Sequence, residues 1–334
     1  MRVVSQYVAN KNNAGPKAKI DIEKILKQYY NAKIYTNKVN DFKPNFFSKI
    51  KKFFFSRNAL KTNDFVVIQI PFSNKTEVLK LAKNKIGMIH DLDGIRFQNE
   101  KLLREEINCL NMYKYVIVHN EIMKEYLISK GLKVPAISIE LFDYLVNEEN
   151  EEKKEKRNFN SQNPIIAYPG NLEKRKAEFI YDLNEEKMNF KLLVYGNYFE
   201  KEDVNNKKIE YKGAFSPDVI PNKIEGDLGL VWSGMLDESD ENLEEKAYNK
   251  YNIPHKLSCY LAAGMPVIVW QKAAASKIVD KYNIGYKINN LYDINKIDFY
   301  DYKEKKKNVE ILSKKIKGGY FTKTALDKIL KEIK

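Results

Sequence analysis

Residues 251–270 read Tyr251-Asn252-Ile253-Pro254-His255-Lys256-Leu257-Ser258-Cys259-Tyr260-Leu261-Ala262-Ala263-Gly264-Met265-Pro266-Val267-Ile268-Val269-Trp270. Pro254 suits the first turn of a helix, where a missing N–H costs nothing. Gly264 stands where a C′ glycine belongs, and Pro266 stops the helix from continuing. An apolar strand, Val267–Trp270, follows at once. The stretch is therefore a short helix delivered straight into a sheet, and the N–H groups of its first turn can face an anion. Lys256 lies in that turn, where the helix macrodipole disfavours a cation. A bound diphosphate removes this conflict; a surface lysine on a structural helix is the plain alternative.

Outward from this segment, strands alternate with helices in both directions. Ile165–Ala167, Lys191–Tyr195, Ile209–Tyr211 and Leu228–Trp232 read as strands before it. Nearer the N-terminus, Val3–Val8, Phe65–Ile70, Ile86–Ile89 and Tyr115–Val118 do the same, with helices at Ala18–Tyr30 and Glu121–Lys130. Asn120 is placed to cap the latter and Gly131 to end it. Such alternation specifies parallel sheets with helices on both faces. The charge-dense stretch Glu148–Arg157 cannot bury itself and is the linker candidate. The chain thus reads as two α/β halves with a hinge, and ligands of open α/β sheets bind outside the carboxyl ends of strands.

Length and composition agree. The 334 residues suit two domains, and a hydrophobic content of 43% excludes disorder as the overall state. Two cysteines, Cys109 and Cys259, exclude a disulfide scaffold and suit a reducing compartment. His90, His119 and His255 lack the spacing of a structural zinc site. No N-terminal apolar run reaches the roughly 7–15 residues of a signal peptide. Leu261–Trp270, broken by Gly264 and Pro266, falls short of the roughly 20 residues of a membrane span. A cytoplasmic chain is expected. Its net charge of +13 draws nucleic acid, anionic lipid or phosphorylated substrates. Equally, it can be a Lys- and Asn-rich composition spread over solvated faces, because Glu and Asp interleave with Lys. Phe46–Arg57 mixes aromatic and basic residues as an interfacial amphipathic helix does, or as a core-facing helix with a basic outer face.

Other segments carry candidate chemistry. Tyr168–Arg175 leaves the first strand of the second half; Gly170 permits close backbone approach, and Lys174 or Arg175 can reach a phosphate oxygen. Asn12–Lys17 follows the first strand of the first half and is not a GxGxxG dinucleotide fingerprint. Asp91-Leu92-Asp93 is formally a DxD metal motif, but positive charge and helix N–H groups can stabilise a departing diphosphate without a metal. Asp91, at a strand end beside His90, is the candidate general base or else a turn aspartate. Arg96 can orient an acceptor or close an ion pair. His119 reads as a satisfied strand-end histidine. Trp232 and Tyr195 can pack on a sugar or base, or serve as core.

Taken together these residues resemble GT-B glycosyltransferases. Pro254–Val269 is similar to their nucleotide-sugar signature, roughly Lys-x-x-x-Tyr-Leu-Ala-Ala-Gly-x-Pro-Val-Ile. The Asn-x-Pro-His-Lys-Leu-Ser run inside it resembles bacterial galactofuranosyltransferases of polysaccharide synthesis, and also streptococcal glucosyltransferases that add glucose to GlcNAc on serine-rich adhesins. Supporting matches are Ile89–Phe97, Lys212–Phe215, Gly229–Trp232 and Gly318–Phe321. The resemblance implies two Rossmann-like domains facing a cleft: residues 1–150 for the acceptor, 160–316 for the nucleotide sugar, and a helix in 317–334 crossing back. It implies transfer of a hexosyl group, galactofuranose first, from a UDP-sugar to a lipid-linked or protein-linked glycan. The alternatives are a UDP-glucose-dependent glucosyltransferase acting on a GlcNAc-modified protein, and a polyanion-binding or non-catalytic partner subunit. No metal, no cofactor beyond the donor and no nucleic acid partner is expected, while contact with the inner membrane face and self-association are. By matching position, Lys256 and Pro254, His255, Leu257, Ser258 and Cys259 would hold the diphosphate through the helix start. Gly15, Pro16, Gly170, Lys174 and Arg175 would assist, and Tyr211 and Gly213 would sit near the uracil. Asn13, Lys17 and Arg96 would meet the acceptor, with Asp91 and His90 catalytic. Cys259 departs from the pattern, standing where many relatives carry a ribose-binding glutamate.

Overall fold

The computed structural model describes residues 1–8, 15–39, 58–71, 79–147, 158–234 and 248–333. Asn13, Phe46–Arg57 and the Glu148–Arg157 stretch lie outside the described residues. Two compact units form: Met1–Asp143 with Gly319–Lys334, and Tyr144–Gly318. The first unit ends at Asp143, ahead of the charged stretch expected to divide the chain near 150, and the chain returns to it at Gly319.

In the first unit, strands β1 (Arg2–Val8), β2 (Lys33–Val39), β3 (Val66–Ile70), β4 (Lys85–Ile89), β5 (Tyr115–Val118) and β6 (Ala136–Ser138) form one sheet in the order β2-β1-β3-β4-β5-β6. Every pairing is parallel. Its central strands are buried almost throughout because both faces are covered. Helices α1 (Lys17–Tyr30), α2 (Glu100–Leu110) and α3 (Glu121–Ser129) accompany it. Asn120 caps α3 by accepting from the Met123 N–H at 2.8 Å, and Gly131 takes the left-handed conformation, as the sequence specifies.

The second unit repeats the plan. Strands β7 (Ile165–Pro169), β8 (Lys191–Tyr195), β9 (Ile209–Tyr211), β10 (Leu228–Val231), β11 (Val267–Trp270) and β12 (Gly285–Ile288) lie in the order β12-β11-β10-β7-β8-β9, again all parallel. Helices α4 (His255–Ala262), α5 (Ala275–Tyr282) and α6 (Tyr302–Lys317) belong to this unit. α6 packs on α4, and Lys306 Nζ donates to the Gly264 carbonyl closing that helix at 2.5 Å. β2, β6 and β12 were not expected from the sequence. All three are edge strands, where one free side relaxes the demand for an apolar run.

The C-terminal helix α7 (Tyr320–Ile333) belongs to the first unit and packs on α1 and β6. Gly319 takes φ +75°, and a Cβ there would stand 2.9 Å from Ile25 Cγ1, so glycine meets both demands of the bend. Tyr30 donates to Asp327 at 2.7 Å. Asp143, buried at 2% exposure, accepts from the amides of Phe321 at 3.1 Å and Thr322 at 2.7 Å and so caps α7. Among the described residues, no helix is long and apolar enough to cross a membrane.

Burial pushes the Asp143 carboxyl from 3.8 up to about 7, against the pull of those amides and with a further push from Asp21. The folded chain therefore keeps a proton that the unfolded chain has shed. The stability this group contributes is fully present below its usual value of 3.8 and is lost as pH rises to about 7. Relative to Asp143→Asn, the wild type should lose stability across that window in urea titrations; parallel curves would contradict the assignment.

Candidate functional site

In the second unit the strand order reverses between β7 and β10. A crevice outside the carboxyl ends of two such strands is where open α/β sheets take ligands. α4 starts beside it, and one side chain determines how. Tyr260 is fully buried and its hydroxyl lies 2.7 Å from the Leu230 carbonyl on β10 and 3.1 Å from the Ala167 carbonyl on β7. Its ring occupies the space above Gly229, where a Cβ would come within 2.2 Å of Tyr260 Cγ. Lys256 lies one turn earlier on the same helix face. Its ammonium rests 3.6 Å from the ring centroid of Tyr168, the penultimate residue of β7. That aromatic face attracts the ammonium, offsetting the macrodipole's opposition to a lysine in a first helical turn. Gly170 lies against it, since a Cβ there would make van der Waals contact with Lys256 Nζ at 3.4 Å.

No side chain caps α4, and Pro254 occupies its N-cap position. The Leu257 N–H already donates to the Pro254 carbonyl at 2.9 Å, and Ser258 and Cys259 lie deeper in the intrahelical ladder. Of the amides expected to face an anion, those of His255 and Lys256 precede the first intrahelical bond. The side chains of Leu257, Ser258 and Cys259 are buried on the inner face of the helix.

Three loops at the carboxyl ends of β7, β8 and β9 interlock. The Gly170 N–H donates to the Tyr195 carbonyl at 2.9 Å and the Gly196 N–H to the Gly213 carbonyl at 3.0 Å. Gly196 has φ +142°, and a Cβ on it would overlap the Gly170 carbonyl oxygen at 1.8 Å. The Tyr211 hydroxyl donates to the Gly196 carbonyl at 2.9 Å, and its ring stacks on Phe199 at 5.0 Å. Tyr198, Tyr211 and Phe215 are exposed there, giving an aromatic surface beside Gly213. Lys174 and Arg175 stand on the rim: Lys174 pairs with Asp203 at 3.0 Å and Arg175 with Glu173 at 3.7 Å. Tyr195 is core, fully buried, its hydroxyl accepting from the Glu225 N–H at 2.9 Å. Trp232, nearly buried, lines a pocket with Ser233, Asn249, Pro254 and Trp270 beside the start of α4.

In the first unit the reversal falls between β1 and β3, and a buried lysine stands there that the sequence reading missed. Lys19 Nζ donates to the Gln6 carbonyl at 2.8 Å and the Pro71 carbonyl at 3.2 Å, at the ends of those two strands. Burial lowers it to about 8, with Asp91 and Glu23 opposing. Buried Gln69 donates to Ser5 at 2.6 Å and to the Lys19 carbonyl at 3.0 Å, which aims its own carbonyl oxygen at His90 Nε2, 2.8 Å away. That nitrogen of His90 therefore carries the proton. Phe142 stacks on His90 at 5.0 Å, and His119 Nε2 donates to the His90 carbonyl at 3.0 Å. Asp91 and Arg96 form an ion pair at 2.5 Å, half exposed. Asp93 and Gly94 present their amides to the Glu106 carboxylate at 2.8 and 2.9 Å. Gly15 is exposed and Pro16 buried at the start of α1. Lys17, expected to meet the acceptor, is instead buried and paired with Asp21 at 2.7 Å, because one helical turn brings the two together.

Family models described as the Glucosyltransferase 3-like N-terminal and C-terminal domains match residues 1–141 and 166–329. The architecture is that of a GT-B glycosyltransferase. The chain belongs to the Glucosyltransferase 3-like family. It is similar to the β-1,6-galactofuranosyltransferase WbbI of Escherichia coli (strain K12), with 31% identity over 254 residues covering 75% of this chain and 72% of the relative. It is also similar to Glucosyltransferase 3 of Streptococcus gordonii, with 27% identity over 293 residues covering 81% of this chain and 80% of that one. Among solved structures, Anabaena Alr3699/HepE in complex with UDP and glucose shares the fold, with a TM-score of 0.61 at 12% identity and coverage of 100% of this chain and 99% of that one. WaaG, a glycosyltransferase involved in lipopolysaccharide biosynthesis, does so with a TM-score of 0.55 at 11% identity and 98% coverage of both chains.

Because the Tyr260 ring fills the space over Gly229, Gly229→Ala should lower unfolding free energy by about 1–3 kcal/mol in urea denaturation. A value within about 0.5 kcal/mol of wild type, the range of substitutions that disturb no packing, would contradict this packing.

Proposed function

We propose that the chain transfers a hexosyl group, galactofuranose first, from a UDP-sugar to a lipid-linked or protein-linked glycan in surface polysaccharide or glycoconjugate synthesis. The observation that carries this reading is the Lys256 ammonium, fixed on the Tyr168 face beside Gly170 at the uncapped start of α4. A leaving diphosphate gains charge as the glycosidic bond breaks, and a fixed cation next to helix N–H groups stabilises that charge. Those groups supply it without a metal, and Asp91 of the DxD sequence already holds Arg96. The aromatic surface of Tyr211, Phe199 and Phe215 suits the flat uracil. Buried Cys259 offers no carboxylate to the ribose, so ribose recognition falls to other groups.

Asp91, with His90 beside it, is the candidate base for the acceptor hydroxyl, and Arg96 must release the carboxylate for it to act. Galactofuranose ranks first because the galactofuranosyltransferase is the more similar relative at 31% identity. The streptococcal Glucosyltransferase 3 relatives favour the second reading, glucose from UDP-glucose placed on a GlcNAc-modified protein. Contact with the inner leaflet through the basic aromatic segment 46–57, and self-association, belong to the same reading.

Thermal-shift measurements with UDP, UDP-glucose and UDP-galactofuranose test it. Stabilisation of the wild type is expected, with affinity for UDP reduced at least ~10-fold in Lys256→Ala, the loss of roughly one charge-assisted contact. Asp91→Asn should keep UDP binding and lose turnover. No stabilisation by any uridine nucleotide would sink the proposal.

A further inference from the structure

We infer that Tyr144 is a positioning residue for the donor nucleotide, holding the phosphate-facing helix start and the base-side loop in register from a single side chain. The inference rests on the donor reading given above.

Tyr144 is the first residue of the second unit and is 3% exposed. Its ring stacks on His255, the first residue of α4, with centroids 4.7 Å apart and planes 23° from parallel. Its hydroxyl donates to the Pro217 carbonyl at 2.7 Å. Pro217 ends the segment that leaves β9 and carries Gly213 and Phe215. The Tyr144 N–H donates to the Ile316 carbonyl in the last turn of α6 at 3.2 Å. The side chain thus ties α4 to the loop after β9, and the backbone ties the same residue to α6.

The reason such a residue is needed lies in α4 itself. No side chain caps this helix start, and a helix end without a side-chain cap is more prone to fray. Packing a rigid aromatic plane on His255, its first residue, orders that turn from the side. The same side chain, through its hydroxyl, fixes where the base-side loop stands relative to that turn. A nucleoside diphosphate has to reach both at once, so the spacing between them sets its affinity.

Calorimetric titration of UDP and UMP into wild type, Tyr144→Phe and Tyr144→Leu tests the inference, with melting temperatures recorded for each. Tyr144→Phe keeps the stack and loses only the bond to Pro217. It should weaken UDP and UMP alike, by ~2–10-fold, the range for one hydrogen bond. Tyr144→Leu also loses the stack on His255 and should weaken UDP further than UMP, because the second phosphate depends on the helix start. Wild-type affinity for both nucleotides in both variants would overturn the inference. Equal losses for UDP and UMP in Tyr144→Leu would overturn it too, since a merely structural role carries no preference for the second phosphate. A wild-type chain that binds neither nucleotide would instead overturn the donor reading itself, and this inference with it.

Discussion

One fully buried phenol, Tyr260, anchors α4 on the sheet of the second unit. Its hydroxyl spans the carbonyls of Leu230 and Ala167 on the two strands that flank the topological reversal. Its ring uses the space that glycine at 229 leaves. With α4 pinned there, Lys256 one turn earlier has a single direction to extend, back over the end of β7, where the Tyr168 ring receives it. The cation that the macrodipole opposes is thus held at the crevice by packing made four residues away. Exchange of either Tyr260 or Gly229 alters the crevice through the helix rather than through any contact with a ligand.

Much of this was legible in the sequence because the same residues serve two ends. Pro254, Gly264 and Pro266 bound the helix, and Val267–Trp270 is apolar enough to be a buried strand, so the segment's structure could be read from the sequence. The central strands of both sheets were legible for the same reason. β2, β6 and β12 were not, since edge strands carry little apolar signal. The placement of Pro254 at the N-cap rather than in the first turn, and the burial of Ser258 and Cys259, needed the three-dimensional packing. Only that packing shows which amides precede the first intrahelical bond.

The first unit shows where sequence reading stops. α1 opens with Lys17, Lys19, Asp21 and Glu23, which any hydropathy pattern assigns to a solvated face, yet all four are buried. They are buried because they satisfy one another and the strand ends: Lys17 with Asp21, Lys19 with two carbonyls, Glu23 with Thr36. Gln69 and His90 extend that network to the end of β4. Polar groups satisfied this way carry no periodic signature, and their partners come from strands far apart in the chain. Asp91 and Arg96, five positions apart in one recognisable motif, hold each other. The motif's regularity is as much structural as chemical, because Glu106 binds its next two amides.

The central claim is that the nucleotide diphosphate sits outside β7 and β10 at the start of α4. A crystal structure of the full chain soaked with UDP tests it most directly. The account expects the diphosphate within hydrogen-bonding reach of Lys256 Nζ and the His255 and Lys256 amides, with the uracil on the Tyr211 side. Ordered UDP at any other position, with Lys256 still resting on Tyr168 and no phosphate near it, would contradict the account.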